Sequence, residues 1–293
     1  MVIYLNRDRA IELGTFLRGF GSDKLVVFEI NDPQYKALEN LYRELSDCSS
    51  LALLTVLNSI VSYQLSITGE DYWWEFSQYQ EFKRYSRDPE MLWDSFRRFL
   101  LSSRGNTSTR DIKLKRISKL REEEFHIEIY AKFSDYAKDL GSFARRLSEI
   151  LRQNIYDKTI MFSVKMLYYV ARICNMRIGG FDEIKIPIDR RVAAVSFTSE
   201  IVDVLDTKYV VEYIMKEKKT ALRAWDIVSE TSNIPLIKLD SLIWTMGRYV
   251  REKDPVNRVL KDLSNILRGY IDTKTLTDLV NQFIRRRLPP TME

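Results

Sequence analysis

Between Asp157 and Cys174 the apolar residues fall at 160, 164, 167, 171 and 174. That 4-3-4-3 spacing makes one stripe along an α-helix. At about 100° per residue, Lys158, Lys165 and Arg172 line the opposite face, with Phe162 and Tyr169 between them. A helix that is apolar on one side and cationic-aromatic on the other packs its stripe on a core and uses its second face to wall a cleft. Lys158 falls in the first turn, where the positive end of the macrodipole favours the free, nucleophilic amine. Downstream, in Lys185-Ile-Pro-Ile-Asp-Arg-Arg-Val192, Asp189 precedes a new apolar-periodic run and reads as an N-cap. Asp157 is a rival cap beside Lys158. A lysine opening one helix and an aspartate capping the next form a possible amine–carboxylate pair. Spacing alone favours a solvated lysine and an ordinary cap.

Several classes of chemistry are excluded by what the chain lacks. His126 is the only histidine, which removes triads and histidine-rich metal sites. Cys48 and Cys174 are far apart and without CxxC spacing. They are expected as two lone thiols of a reducing compartment, with no disulfide framework and no four-cysteine iron–sulfur cluster. No cofactor is implied. The amino terminus shows no signal-peptide pattern, and the apolar run 51–65 is short and broken by Thr55, Asn58 and Ser62, so it predicts a core helix and not a membrane span.

At 293 residues the chain can bury a large core, and 45% hydrophobic with 30% charged residues fits a soluble globular protein. Placement of charge says more than the net +5. From Arg97 to Arg121 there are nine basic residues, at 97, 98, 104, 110, 113, 115, 116, 119 and 121, against Asp111 alone. Lys113, Lys115 and Arg116 at its centre are candidate phosphate contacts, although a solvated helix face carries the same pattern.

The pattern is helical almost throughout. Helices are predicted over 8–20, 50–67 (stopped by Gly69), from Glu70 through Phe76, and near 90–102, 111–136, 141–153, 158–176, 190–204, 208–216, 219–232, 239–252, 256–269 and 273–286. Lys24–Ile30 reads as a strand or a helical turn, and Asp32-Pro33 opens a helix that carries Gln34. Ser102–Ser108 is the clearest flexible loop.

A lysine opening an apolar helix, then a Pro-Ile-Asp segment opening the next, resembles the helix-hairpin-helix DNA glycosylase superfamily. More narrowly, the chain is similar to the archaeal 8-oxoguanine DNA glycosylase family, AGOG. Four further segments agree: Asp32-Pro-Gln-Tyr35, Ser62-Tyr-Gln-Leu-Ser-Ile-Thr-Gly-Glu-Asp-Tyr-Trp-Trp-Glu-Phe76, Lys158-Thr159 with Lys165, and Ile234-Pro-Leu-Ile-Lys-Leu-Asp-Ser-Leu-Ile-Trp244. The resemblance runs from about residue 32 to 250, and the tail after Pro255, ending Phe283-Ile-Arg-Arg-Arg-Leu-Pro-Pro290, is unmatched. That tail is expected to cap a lobe or touch DNA.

The resemblance implies an all-α, two-lobed architecture, one lobe over 45–180 and the other over 1–44 with 181–293, with the site in the cleft between them. Lys158 would come from the first lobe, and Gln34, Asp189 and Trp244 from the second. The superfamily's hairpin before the lysine is glycine-rich, whereas this chain reads Leu151-Arg-Gln-Asn-Ile-Tyr-Asp-Lys158. Arg152, Gln153 and Asn154 are the expected substitutes for a glycine-loop phosphate grip.

The implied activity is bifunctional. Lys158 attacks the sugar, displaces 8-oxoguanine and nicks the strand by β-elimination through a Schiff base, with Asp189 stabilising charge. Trp73 and Trp244 are suited to stack on the flipped purine, Gln34 and Asp240 to read its edge, and Lys165 to line the pocket. Asp240 and Trp244 are four apart, hence on one helical face. Expected partners are double-stranded DNA with that lesion and no membrane, for a cytoplasmic monomer. A glycosylase for another lesion, or a non-catalytic helical DNA-binding protein, would share much of this pattern.

Overall fold

The helix Cys48–Val61 is buried on every side from Ser50 onward, as a helix apolar all round must be. One of two compact units is built around it. The computed structural model describes residues 2–205 and 208–289, and the chain divides into Pro33–Ile184 and a second unit of Met1–Asp32 with Lys185–Glu293. Pro290, at the end of the tail, lies outside the described residues.

In chain order, β1 (Val2–Leu5), α1 (Arg7–Phe20) and α2 (Ser22–Ile30) open the unit of the two chain ends. The middle unit is helical: α3 (Pro33–Leu45), α4 (Cys48–Val61), α5 (Gly69–Ser77), α6 (Glu81–Arg84), α7 (Pro89–Ser102), α8 (Arg110–Glu122), α9 (Phe125–Lys138), α10 (Leu140–Leu151) and α11 (Lys158–Ile173). The chain then completes the other unit with α12 (Arg190–Thr198), β2 (Val202–Leu205), α13 (Val210–Lys216), α14 (Lys218–Ser232), α15 (Leu236–Gly247), α16 (Pro255–Ile266) and α17 (Thr273–Phe283).

In the middle unit α11 lies along α4, and α3, α8, α9 and α7 also pack on α4. The first boundary between units falls at 32/33 and not at 44/45. Ala37, Leu38, Leu41 and Leu45 turn the buried face of α3 onto α4, α5 and α11. Gln34 therefore belongs with Lys158 and not with Asp189. Helix α4 ends at Val61, earlier than its apolar run suggests. Ser62 Oγ donates to the Asn58 carbonyl at 2.7 Å, and the chain leaves as a loop through Gln64, at φ 45°. Gly69 starts α5 instead of stopping α4, because Thr68 caps it by accepting from the Asp71 N–H at 3.1 Å.

The cysteines overturn the expectation of lone thiols. Cys48 in the first turn of α4 and Cys174 at the end of α11 are joined in a disulfide, with Cα atoms 6.1 Å apart. A separation of 126 residues hides the pairing in the sequence, and it follows from the antiparallel packing of the two helices. Intracellular proteins of hyperthermophiles are the known exception to the compartment rule on which the expectation rested.

The basic stretch also differs from expectation. Lys113 is 0% exposed. Its Nζ donates to Asn106 Oδ1 at 2.8 Å, Asn106 Nδ2 donates to the Tyr72 hydroxyl at 2.9 Å, and that hydroxyl donates to Asn58 Oδ1. Burial pushes the Lys113 amine down to about 8. Arg116 lies over the Tyr63 ring at 4.7 Å and donates to the Ile60 carbonyl at 3.0 Å. Of the three candidate phosphate contacts, only Lys115 is exposed. The segment expected to be the most flexible loop is ordered, with a 3-10 turn over Arg104–Asn106. A Cβ on Gly105 would come within 2.5 Å of the Tyr72 ring, so the close approach there requires glycine.

In the other unit, β1 pairs antiparallel with β2, Val2 opposite Leu205 and Leu5 opposite Val202. This ends the helix expected to run to 204 at Thr198, and Lys24–Ile30 is helical. The tail is part of this core: Val259, Leu263, Leu276, Val280 and Phe283 are buried. Its last turn grips the carboxy end of α12. Arg286 donates to the carbonyls of Phe197 and Val202 at 2.8 and 2.9 Å, and the Arg285 N–H bonds the Thr198 carbonyl at 3.0 Å.

Candidate active site

Helices α10 and α11 are joined by residues 152–157, and the turn closes without glycine. Arg152 takes the left-handed conformation, φ 52°, that glycine usually supplies at a helix end. Its N–H and that of Gln153 bond back to Glu149 and Ser148 carbonyls, at 3.1 and 3.0 Å. Both of these amides are used inside the hairpin. The side chains of Arg152 and Asn154 are exposed, and that of Gln153 is half-buried. Asn154 Oδ1 accepts the Tyr156 N–H at 2.9 Å.

Asp157 holds the N-cap position of α11, but its side chain makes no capping bond among the described residues. Lys158, the first residue of the helix, is exposed. One turn on, Phe162 is half-buried and meets the Trp73 ring edge-on, with centroids 6.0 Å apart. Trp73 itself is 1% exposed and packs on Phe76 from its other neighbour. As folded, the Trp73 indole leaves almost none of its surface open. Lys165, a further turn along, is 5% exposed, with its ammonium 5.3 Å from the centre of the Tyr169 ring. Tyr169 in turn meets Tyr35, the neighbour of Gln34, at 5.2 Å. Gln34 is buried at the start of α3. Helices α3, α5 and α11 thus gather Gln34, Trp73, Phe162 and Lys165 within the unit that presents Lys158.

The other unit holds the remaining candidates. Asp189 caps α12 as its sequence predicts, with Oδ1 accepting the N–H groups of Arg191 and Val192, both at 2.9 Å. The first turn of α12 lies hard against α15: a Cβ on Gly247 would fall 2.7 Å from Arg191 Cβ. On α15, Asp240 is buried and Trp244, one turn later, is half-buried. The Arg191 guanidinium stands 3.8 Å from the centre of the Trp244 ring, and that of Arg248 stands 4.3 Å away. Phe162, Arg191 and Arg248 carry no role in the sequence reading. For Phe162 and Arg248 the signal was the i+4 spacing from Lys158 and Trp244, which also describes ordinary surface neighbours; Arg191 meets Trp244 across 53 residues and left no local signal.

No group of His, Cys, Asp and Glu suited to a metal occurs among the described residues, and none of their helices is long and apolar enough to cross a membrane. An all-α chain in which a tight hairpin leads directly into a helix headed by lysine defines the class of helix-hairpin-helix DNA glycosylases. Within that class, a model of the N-glycosylase/DNA lyase family AGOG matches residues 14–277, and the chain belongs to this family. It is a DNA glycosylase and lyase of base-excision repair.

The chain is 31% identical to the N-glycosylase/DNA lyase of Methanococcus maripaludis over 239 residues, covering 81% of this chain and 87% of that one. With the enzyme of the same name from Methanopyrus kandleri the identity is 34% over 233 residues, 78% and 86% of the two chains. A solved structure of an 8-oxoguanine DNA glycosylase from Pyrobaculum aerophilum, complexed with 8-oxoguanosine, superposes with a TM-score of 0.67 at 25% identity, over 94% of this chain and 96% of that one.

Proposed function

We propose that this enzyme removes 8-oxoguanine from double-stranded DNA and nicks the strand, with Lys158 as its nucleophile. The observation that carries the reading is the position of Lys158, exposed at the head of α11 directly after a glycine-free hairpin and inside the span matched by the family. The solved relative complexed with 8-oxoguanosine supports the choice of lesion.

In this reading Lys158 Nζ bonds to C1′ as the bond from C1′ to the base nitrogen breaks, and the base leaves with a proton. Loss of an amine proton and opening of the sugar give the Schiff base. The imine acidifies the C2′ hydrogens, and loss of one expels the 3′ phosphate and nicks the strand. Asp189, held by two backbone N–H groups, stabilises the positive charge on the sugar and accepts the lysine proton.

Trp244 and Phe162 serve as the stacking surfaces, with Trp73 beneath Phe162. Gln34, Lys165 and Asp240 supply the polar contacts that only the oxidised ring satisfies, because a purine's π-face is nearly the same for every base. The side chains of Arg152, Gln153 and Asn154 contact phosphate in place of the hairpin amides, and Lys115 adds to that surface. The enzyme acts as a monomer in the cytoplasm, at the nucleoid. Single-turnover base release and nicking on duplexes carrying 8-oxoguanine, guanine or uracil at one position test this. Only the first should be processed, and equal release of uracil would assign a different lesion.

A further inference from the structure

Trp244 has two guanidinium groups in stacking contact with one indole, Arg191 at 3.8 Å and Arg248 at 4.3 Å from the ring centre. Two planar cations this close to one centroid overlap if they share a face, so they cover opposite faces. A base that stacks on Trp244 must displace one of them. The two arginines differ in exposure. Arg191 is half-buried in the first turn of α12, its backbone wedged against Gly247 and its N–H bonded to Asp189. Arg248 is exposed at the end of α15, one turn past Trp244.

Resting on the reading of Trp244 as a stacking surface, we propose that Arg248 is a displaceable cover of that surface. It leaves the ring when the damaged base enters, and its guanidinium then pairs with a backbone phosphate of the extruded nucleotide. Arg191 stays and backs the indole from the fixed side. An exposed cation–π contact is weaker than base–aromatic stacking, so the exchange runs towards the base. A phosphate suits the planar fork of the displaced guanidinium. Undamaged duplex, which puts no base on the indole, does not trigger the exchange. Arg248 is thereby a specificity-determining residue that adds phosphate affinity only for an extruded base.

The test uses the full chain and three variants, Arg248→Ala, Arg248→Lys and Trp244→Ala. Affinity for 8-oxoguanosine is read from tryptophan fluorescence, and the salt dependence of binding is read on lesion and undamaged duplexes. Removing the cover should tighten nucleoside binding by about two- to five-fold in Arg248→Ala. In the same variant the slope of log affinity against log salt should fall by about one phosphate on the lesion duplex alone. Arg248→Lys should keep the slope, because it keeps a charge. Nucleoside affinity in Arg248→Ala equal to or below that of the unaltered protein overturns the cover, as does a slope lost equally on both duplexes. If Trp244→Ala binds the nucleoside as tightly as the unaltered protein, the stacking role itself falls. Weak binding by Trp244→Ala with an unchanged Arg248→Ala sinks only the cover.

Discussion

The two helix starts that carry the proposed reactive groups are built differently. Helix α11 opens on Asp157 and Lys158, both exposed, and the Asp157 side chain makes no capping bond among the described residues. Helix α12 opens on Asp189, half-buried, with one carboxylate oxygen shared between two backbone N–H groups at 2.9 Å. The difference suits two kinds of work. A nucleophile must travel to carbon, change its protonation and carry a sugar, so its side chain needs freedom. A group that stabilises charge works best when it is already oriented and costs no rearrangement as charge develops. Two aspartates at the same cap position thus differ in burial and hydrogen bonding where sequence spacing did not separate them, and the proposed function gives only Asp189 a part in the chemistry.

The largest expected effect comes from exchanging the two caps' chemistry. Asp189→Asn keeps a capping oxygen but removes the charge, and single-turnover base release should fall by roughly 10²–10⁴-fold. Asp157→Asn in the same assay should stay within about two-fold. A comparable loss in both would erase the distinction between the helix starts.

Next in size is the staple at the far ends of α4 and α11. Reducing the Cys48–Cys174 disulfide, or replacing both residues by serine, removes a cross-link across 126 residues and about 5 kcal/mol of stability. The melting temperature should drop by roughly 10–20 °C. A drop of a degree or two would mean that packing alone holds these helices.

A smaller effect belongs to Lys113. Its amine titrates near 8 in the fold, below its ordinary 10.5, because it is buried. Between those values the unfolded chain holds the proton that the folded chain has released, so stability rises with pH from about 8 to 10.5. Below 8 both states are protonated and the burial cost is present in full. Lys113→Met should therefore be more stable than the unaltered chain at pH 7, by about 1 kcal/mol or more once the lost Asn106 bond is counted. The gap should narrow as pH rises through that window in denaturant titrations. The smallest effect is on DNA binding. Lys115→Ala should reduce the salt slope by about one, while Lys113→Met leaves it unchanged. The reverse order would put the buried lysine back on the DNA surface.

How much of this was legible in the sequence depended on range. Helix periodicity around Lys158 and the cap at Asp189 are local properties, and both helices begin where the spacing places them. The lysine-headed helix, its hairpin and the surrounding motifs also carried the family. What was missed depends on partners distant in the chain. Val202–Leu205 is a strand only because Val2–Leu5 lies beside it, and Cys48 and Cys174 pair only because α4 and α11 run antiparallel. Lys113 looks like its exposed neighbour Lys115 in sequence. Only the packing of Asn106 and Tyr63 around it turns it inward. In the candidate site, the same limit concealed Phe162 over Trp73 and the two arginines on Trp244.

In the proposed reaction Lys158 forms the covalent link to the sugar. Borohydride reduction during turnover on a duplex carrying 8-oxoguanine should trap a protein–DNA adduct, and peptide mapping should find the reduced link on Lys158 Nζ. Lys158→Gln should bind the same duplex and give no adduct. An adduct mapped to Lys165 or any other amine, or a normal yield from Lys158→Gln, would contradict the account.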